Sequence, residues 1–246
     1  MDKGQRTWLA AAYHFPSTYS CRLPMSSMAS ALVSPAPGPA TVRLALIRVG
    51  IELFGIEYVR DALFPLIRSM RVSVRPPEKV ALSTQVLRAY KADESPAGVQ
   101  ISEGPIYREV AHAEGLLTVY VEIPAHEADL WKSLLMTIGY WGQASSFASC
   151  QEVTETPPDW KECAVPLRQL RAQDPLGAFF PCVLTEFRNR SVTWDEVVPV
   201  KRSMPRNPLN LEVYLWPLLL IKQHHGGKLL LRAPFPNLNS KGRKER

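Results

Sequence analysis

The chain has 246 residues, of which 46% are hydrophobic and 21% charged. This excludes a wholly disordered protein and allows one large domain or two small ones. The net charge of +6 is uneven, with +2 over residues 1–42, +5 over 43–91, −9 over 92–163 and +8 over 164–246; basic ends around an acidic middle suit contact with a polyanion on one side.

Arg6 to Phe15 reads as a first strand ending at Pro16. The Ser-, Pro-, Ala- and Met-rich stretch from Ser20 to Ala40 is too long for an ordinary connection, so it is functional or disordered. Pro39 suits the first turn of the helix that follows. Val42, Ala45, Leu46, Val49 and Leu53 then form one apolar stripe, with Arg43 and Arg48 off it and Gly55 as the stop. A second helix is predicted over Ile56 to Met70, interrupted by Pro65. Strands follow at Arg71 to Val74 and Val80 to Ala92, leading into the turn-rich "DESPAGVQISEGP". "IYREVAHA" and "LLTVYVEI", split by Glu114-Gly115, look like a β-hairpin. A helix over Glu127 to Ile138 carries Ala128, Trp131, Leu134, Leu135 and Ile138 on one face. Beyond Cys150 the pattern is Pro-rich, with late strands expected at Ser191 to Val198, Leu211 to Ile221 and Lys228 to Arg232. The order strand, helix, strand, strand, helix, strand is that of a split β-α-β, or ferredoxin-like, arrangement.

Cys21, Cys150, Cys163 and Cys182 lack the spacing of a zinc knuckle or a redox pair, so no metal and no cofactor are expected. Scattered thiols suit a reducing cytosol. "WLAAAYHF" is too short for a signal peptide, and "LWPLLLI" falls far below the ~20 apolar residues of a membrane helix. The expectation is a cytoplasmic protein with no membrane partner.

No G-x-S-x-G elbow, H-E-x-x-H, P-loop or G-x-G-x-x-G occurs, so the sequence demands no enzyme. His224 and His225, followed by two glycines, read as a hairpin turn. His14, His112 and His126 are isolated. Contact with nucleic acid has broader support. Arg22, Ser26, Ser27 and Ser30 offer guanidinium and hydroxyl donors on a loop before a helix N-terminus, where a phosphate is favoured. Arg88, Lys91, Tyr107 and Arg108 mark the basic base of a hairpin with an acidic tip. In "GYWGQASSF", Tyr140 and Trp141 sit between two glycines with Gln143, Ser145 and Ser146 after them. That pattern is either a surface that stacks a base or a turn whose aromatics pack into the core.

Four stretches in one order resemble CRISPR-associated protein family five, the Cas-five subunit of type I Cascade effector complexes. They are "SPAPGPATVRLALIRVGIELFG", "RPPEKVALSTQVLRAYK", "YREV" and "YWGQASSF", together within residues 5 to 150. The resemblance implies an α+β, ferredoxin-like (RRM-like) domain over residues 1–236. It implies a β-hairpin thumb inserted at about 84–107; a β-rich C-terminal part and a basic tail, 237–246, complete the chain. It implies a non-catalytic subunit that caps the complex at the 5′ handle of the crRNA. Its partners would be that RNA, a Cas-seven-type backbone subunit, a large Cas-eight-type subunit and, indirectly, target DNA. Arg43 joins the candidate RNA contacts. Gln143 stands where the family often has Arg or Lys, which argues against phosphate neutralisation there. Two alternatives remain at this point. One is an endoribonuclease of the same fold using His14 or the His224-His225 pair to process precursor crRNA; the other is a protein-interaction subunit that touches no RNA.

Overall fold

A computed structural model describes residues 5–26, 30–95, 98–170, 177–188, 192–198 and 208–236, with side chains for all of these except Ser30 and residues 89–102. Strand β1 (Arg6–His14) leads into three two-residue strands, β2 (Cys21–Arg22), β3 (Ser30–Ala31) and β4 (Val33–Ser34). The long loop expected over Ser20 to Ala40 therefore contains paired backbone, β2 lying antiparallel to β4.

Helix α1 (Pro39–Phe54) starts with Pro39 in its first turn and ends at Gly55, whose φ of 83° suits glycine. Val42, Ala45, Leu46 and Val49 of the expected stripe are buried, while Leu53 at the far end is exposed. The second helix runs on past Pro65 as α2 (Ile56–Tyr58), a π-turn over Val59–Leu63 and α3 (Phe64–Ser69). Pro65 falls in the first turn of α3, where a missing N–H costs least, so the π-turn replaces the expected break.

The chain continues through β5 (Val72–Arg75), β6 (Lys79–Ser95), β7 (Gly98–Glu114), β8 (Leu117–Pro124), α4 (Ala128–Thr137) and β9 (Ser149–Thr154). One antiparallel sheet has the order β5-β8-β1-β9. Leu9, Ala11 and Tyr13 of β1 and Leu117, Val119, Val121 and Ile123 of β8 point to one face. There they meet the buried residues of α1 and Trp131, Leu134 and Leu135 of α4. Each buried Val, Leu or Ile among them contributes roughly 1.5–3 kcal/mol by leaving water.

The remaining elements are β10 (Val165–Pro166), β11 (Phe180–Phe187), α5 (Trp194–Val197), β12 (Leu209–Trp216), β13 (Leu218–His224) and β14 (Gly227–Arg232). They build a sheet β10-β12-β11 and contribute to a five-stranded sheet β13-β14-β6-β7-β3.

Four expectations change. β7 and β8 form no hairpin: β7 pairs with β6 along its whole length, and Gly115, at φ 88°, hands the chain to the other sheet. The strand expected over Ser191 to Val198 is instead the helix α5 within its described part, because Thr193 and Glu196 form a reciprocal capping box. The run Leu211 to Ile221 is two strands parted at Pro217, which has no N–H to give a ladder. The stretch expected as turns instead continues β6 and β7, whose pairing reaches Ser95 and Gly98. The tail 237–246 lies outside the described residues.

Candidate nucleic-acid interface

The loop after α4 folds back as a tight hairpin. Ala148 donates to the Gly139 carbonyl (2.9 Å), Trp141 to that of Ser146 (3.2 Å) and Ser146 to that of Gln143 (2.9 Å). Gly142, at φ 72°, supplies the left-handed residue the turn needs. Trp141 is fully buried, edge-on to Tyr13 with ring centroids 5.0 Å apart. Tyr13 in turn donates to the Leu135 carbonyl at 2.7 Å. Ser146 is also fully buried; its Oγ accepts from the Ser20 N–H at 2.9 Å. Trp141 and Ser146 thus hold the loop in place and leave Gln143, Ala144 and Ser145 exposed at its tip.

The opposite wall hangs on the foot of the β6–β7 hairpin. Tyr19 and Ala111 exchange backbone hydrogen bonds of 2.9 and 2.8 Å. Tyr19 stacks on Phe15 at 3.9 Å and donates to the Pro35 carbonyl. Glu109, buried on β7, accepts the Val33 N–H at 3.0 Å and faces Lys228 Nζ at 3.3 Å. Ser26 Oγ closes the loop by accepting the Leu32 N–H (2.9 Å) and donating to its carbonyl (3.1 Å). Arg22 lies across it, Nη2 donating to the Ser26 carbonyl at 3.1 Å.

Between these walls lie two open hollows, of about 240 and 180 Å³. Arg22, Ser34, Gly38 and Thr41, the last two at the start of α1, line the first. Leu87, Arg108, Glu109 and Ser145 line the second. Ser20 and Gln143 belong to both, so the hollows form one groove partitioned at Gln143. Burial pushes the Cys21 thiol in the first hollow up to about 12, so it is neutral there.

The structure thus brings together Arg22, Arg108, Gln143 and Ser145, with Ser26 bracing the rim. Tyr107 and Arg88 are exposed further along the hairpin, Arg88 facing Glu103 at 3.3 Å. Lys91 lies on β6 and Ser30 on β3, but their side chains, and Ser27 altogether, are outside the described residues. Tyr140 is half-buried beneath the Arg48 guanidinium, 3.8 Å from its ring centre. Three nominated contacts are corrected. Arg43 is buried, paired with Glu186 and donating to the carbonyls of Ile67 (3.2 Å) and Met70 (2.8 Å). Trp141 and Ser146 are internal struts, since neither presents a side chain to solvent. Sequence reading missed Ser20, Leu87 and Glu109; only Glu109 carried a signal, as the acid of "YREV".

On the helix-free face of the four-stranded sheet, the part formed by β1 and β8 is covered, while Glu152 and Thr154 of β9 are exposed. Trp160 packs edge-on to Trp8 at 5.6 Å, Arg71 sits 5.5 and 5.6 Å from the two rings, and Cys163 is buried against Ala10 and Tyr120. Ala164 fixes this cover by donating to the Val74 carbonyl at 2.9 Å. Among the described residues no cluster of His, Cys, Asp and Glu could hold a metal, and no helix is long and apolar enough to cross a membrane.

The chain matches no protein-family model. By sequence it is similar to a CRISPR-associated protein of Archaeoglobus fulgidus, with 25% identity over 154 residues, covering 61% of this chain and 67% of that protein. That protein is a Cas5, the family that the motif order of this chain resembles. By structure it is similar to a chain of the Type III-B Cmr-beta complex bound to cognate target RNA. That likeness has a TM-score of 0.48 at 9% identity, over 61% of this chain and 60% of that one. A CRISPR protein from Archaeoglobus fulgidus gives a TM-score of 0.47 at 11% identity, over 93% of this chain and 92% of that one.

Proposed function

We propose that the chain is a guide-RNA-binding subunit of a type I CRISPR interference complex, without turnover of its own. In this reading it caps the complex at the 5′ handle of the crRNA. The observation that carries the proposal is the groove. Arg22 lines one hollow and Arg108 the other, with Gln143 shared by both and Ser145 in the second, all at the foot of a long hairpin. Two cations flanking polar, small-residue backbone suit a single strand held by its phosphates with its bases turned out. The relationship to Cas5 supports the same reading.

The sheet order β5-β8-β1-β9, with α1 between β1 and β5 and α4 between β8 and β9, fits the ferredoxin-like, RRM-like arrangement. The cover over β1 and β8 favours the loop side over the sheet surface as the place where RNA would lie. Beyond the Val86–Tyr107 pair the hairpin is, among the described residues, a two-stranded ribbon, and Val86 and Leu87 are exposed at its start. Such a ribbon is marginal alone, which suits an arm braced by a backbone subunit. The large subunit, and through it target DNA, would contact the assembled cap in the cytoplasm. Catalysis is not part of the proposal. His14 ends β1 in the four-stranded sheet, whereas His224 and His225 belong to the β13–β14 turn of the five-stranded one.

Co-purification tests it. The tagged chain, expressed with its neighbouring genes and a CRISPR array, should retain guide RNAs sharing one 5′ end, together with a repeated backbone subunit. Protein that comes away free of RNA and of any such subunit would overturn the assignment.

A further inference from the structure

The loop that partitions the groove carries an outward aromatic pair at its root. Trp141 donates to the Ser146 carbonyl (3.2 Å) and Ala148 to that of Gly139 (2.9 Å), which makes Tyr140 and Phe147 a non-hydrogen-bonded antiparallel pair. In such a pair the Cα atoms lie about 4.5 Å apart and the two side chains leave the same side of the hairpin. Trp141, Ser146 and Ala148 are buried on the other side, while Phe147 is 59% exposed. Its neighbour Tyr140 is already covered: the Arg48 guanidinium lies 3.8 Å from the ring centre, held by Glu52 at 3.2 Å. Helix α1 joins this spot to the groove. Thr41, which lines the first hollow, exposed Leu44 and Arg48 fall at i, i+3 and i+7, on one face of the helix. At 1.5 Å per residue, Arg48 stands about 10 Å along the axis from Thr41.

We infer that Phe147 is a stacking platform for one unpaired nucleobase, at the end of a seam that runs from the first hollow along α1. The inference rests on the RNA-binding reading and deepens it. The hollows offer guanidinium, amide and hydroxyl groups, which suit phosphate and ribose. A single strand held that way turns its bases out, and a base turned out needs a flat apolar face. Of the aromatics around the loop, Tyr19 and Trp141 are buried and Tyr140 lies under Arg48, so Phe147 presents the open ring. A phenyl ring has no donor or acceptor, so it takes any base by its face and none by its edge. Glu52 neutralises Arg48, so the platform adds stacking without adding charge. Two backbone hydrogen bonds fix the pair, which spares the contact the cost of ordering a loop. The unbroken run from Thr41 to Arg48 favours the strand already in the groove over a separate protein partner as the occupant.

The test uses the full chain and two fluorescently labelled probes at several salt concentrations, a single-stranded oligoadenylate and an abasic oligomer with the same ribose–phosphate backbone. Phe147→Ala should weaken oligoadenylate binding by about fivefold or more, the low end of one base stacked on an aromatic. It should leave the salt slope as it was, since no phosphate contact is removed. Phe147→Tyr, which keeps the ring, should stay within about twofold of wild type. Neither variant should change the affinity for the abasic backbone by more than about twofold, and the denaturant midpoints should match wild type because the side chain is exposed. Unchanged oligoadenylate binding in Phe147→Ala, or an equal loss on the abasic backbone, overturns the inference and leaves the RNA-binding reading standing. Full RNA affinity in Phe147→Ala with a lost backbone-subunit pull-down would assign the ring to a protein contact and overturn it likewise. Failure of the wild type to bind either probe in a salt-sensitive way overturns both.

Discussion

The foot and the arm of the β6–β7 hairpin are the same two strands in the same register, yet they serve different ends. At the foot, Val80, Leu82 and Ala111 are at most 1% exposed and pack into the main core. A few residues outward, Val86 is 64% exposed, Tyr107 48% and Leu87 40%. The difference is one of neighbours. β14 flanks β6 as far as Ser83 and β3 flanks β7 as far as Tyr107, with the Tyr19 backbone beside Ala111, while the arm beyond the Val86–Tyr107 pair has, among the described residues, only its own partner strand. Burial therefore holds the fold at the foot. The arm keeps apolar side chains in water, which makes sense where something else covers them. The groove lies where one regime passes into the other.

The most drastic way to break the comparison is alkali, which ionises thiols that the fold keeps buried. Burial pushes the thiols of Cys21, Cys163 and Cys182 from their ordinary 9.0 up to about 12. The unfolded chain releases those protons near pH 9.0 and the folded one does not, so their contribution is whole below that pH. Stability should fall as pH rises from there towards about 12, read by denaturant midpoints across that range. Next is Trp141→Ala, which empties the support beneath the loop and should cost about 3–5 kcal/mol of unfolding free energy. A variant of unchanged stability that lost only RNA binding would mean Trp141 faces the groove after all. Glu109→Ala strands the Val33 N–H and the Lys228 ammonium, and should cost about 2–3 kcal/mol in urea unfolding. Smallest is Val86→Ser on the arm, which should shift stability by no more than about 0.5 kcal/mol. The same variant should weaken assembly with the backbone subunit in pull-downs.

What the sequence disclosed follows the same division. Periodicity located α1 and α4, because each buries an apolar stripe against the four-stranded sheet, and the glycine and proline at the ends of α1 sit where capping chemistry puts them. It misplaced Arg43. An off-stripe arginine reads as solvated, but α1 also packs against β11, whose Glu186 receives the guanidinium. A second covering layer leaves no mark in a single-helix period. The β7–β8 junction misled for a related reason. Glu114-Gly115 makes a tight turn in either case, and only long-range pairing decides which sheet the next strand joins. Phe180–Phe187, in a Pro-rich region, has its strand character from pairing with β12, which no local signal reports. On the Tyr140–Ser146 loop, the sequence could name the loop but not its inward residues. Trp141 and Gln143 lie two positions apart with opposite fates, fixed by the positive φ at Gly142 between them.

The claim that the groove holds RNA by its phosphates is tested most directly by salt. Anisotropy titrations of a labelled single-stranded RNA would compare the wild-type chain with the Arg22→Ala/Arg108→Ala double variant across ionic strengths. Two lost phosphate contacts should make the log–log slope shallower by about 1.4. Both proteins should unfold within about 0.5 kcal/mol of each other. A slope unchanged in the double variant, with binding abolished instead by truncation before Lys241, would place RNA on the basic tail and contradict the account.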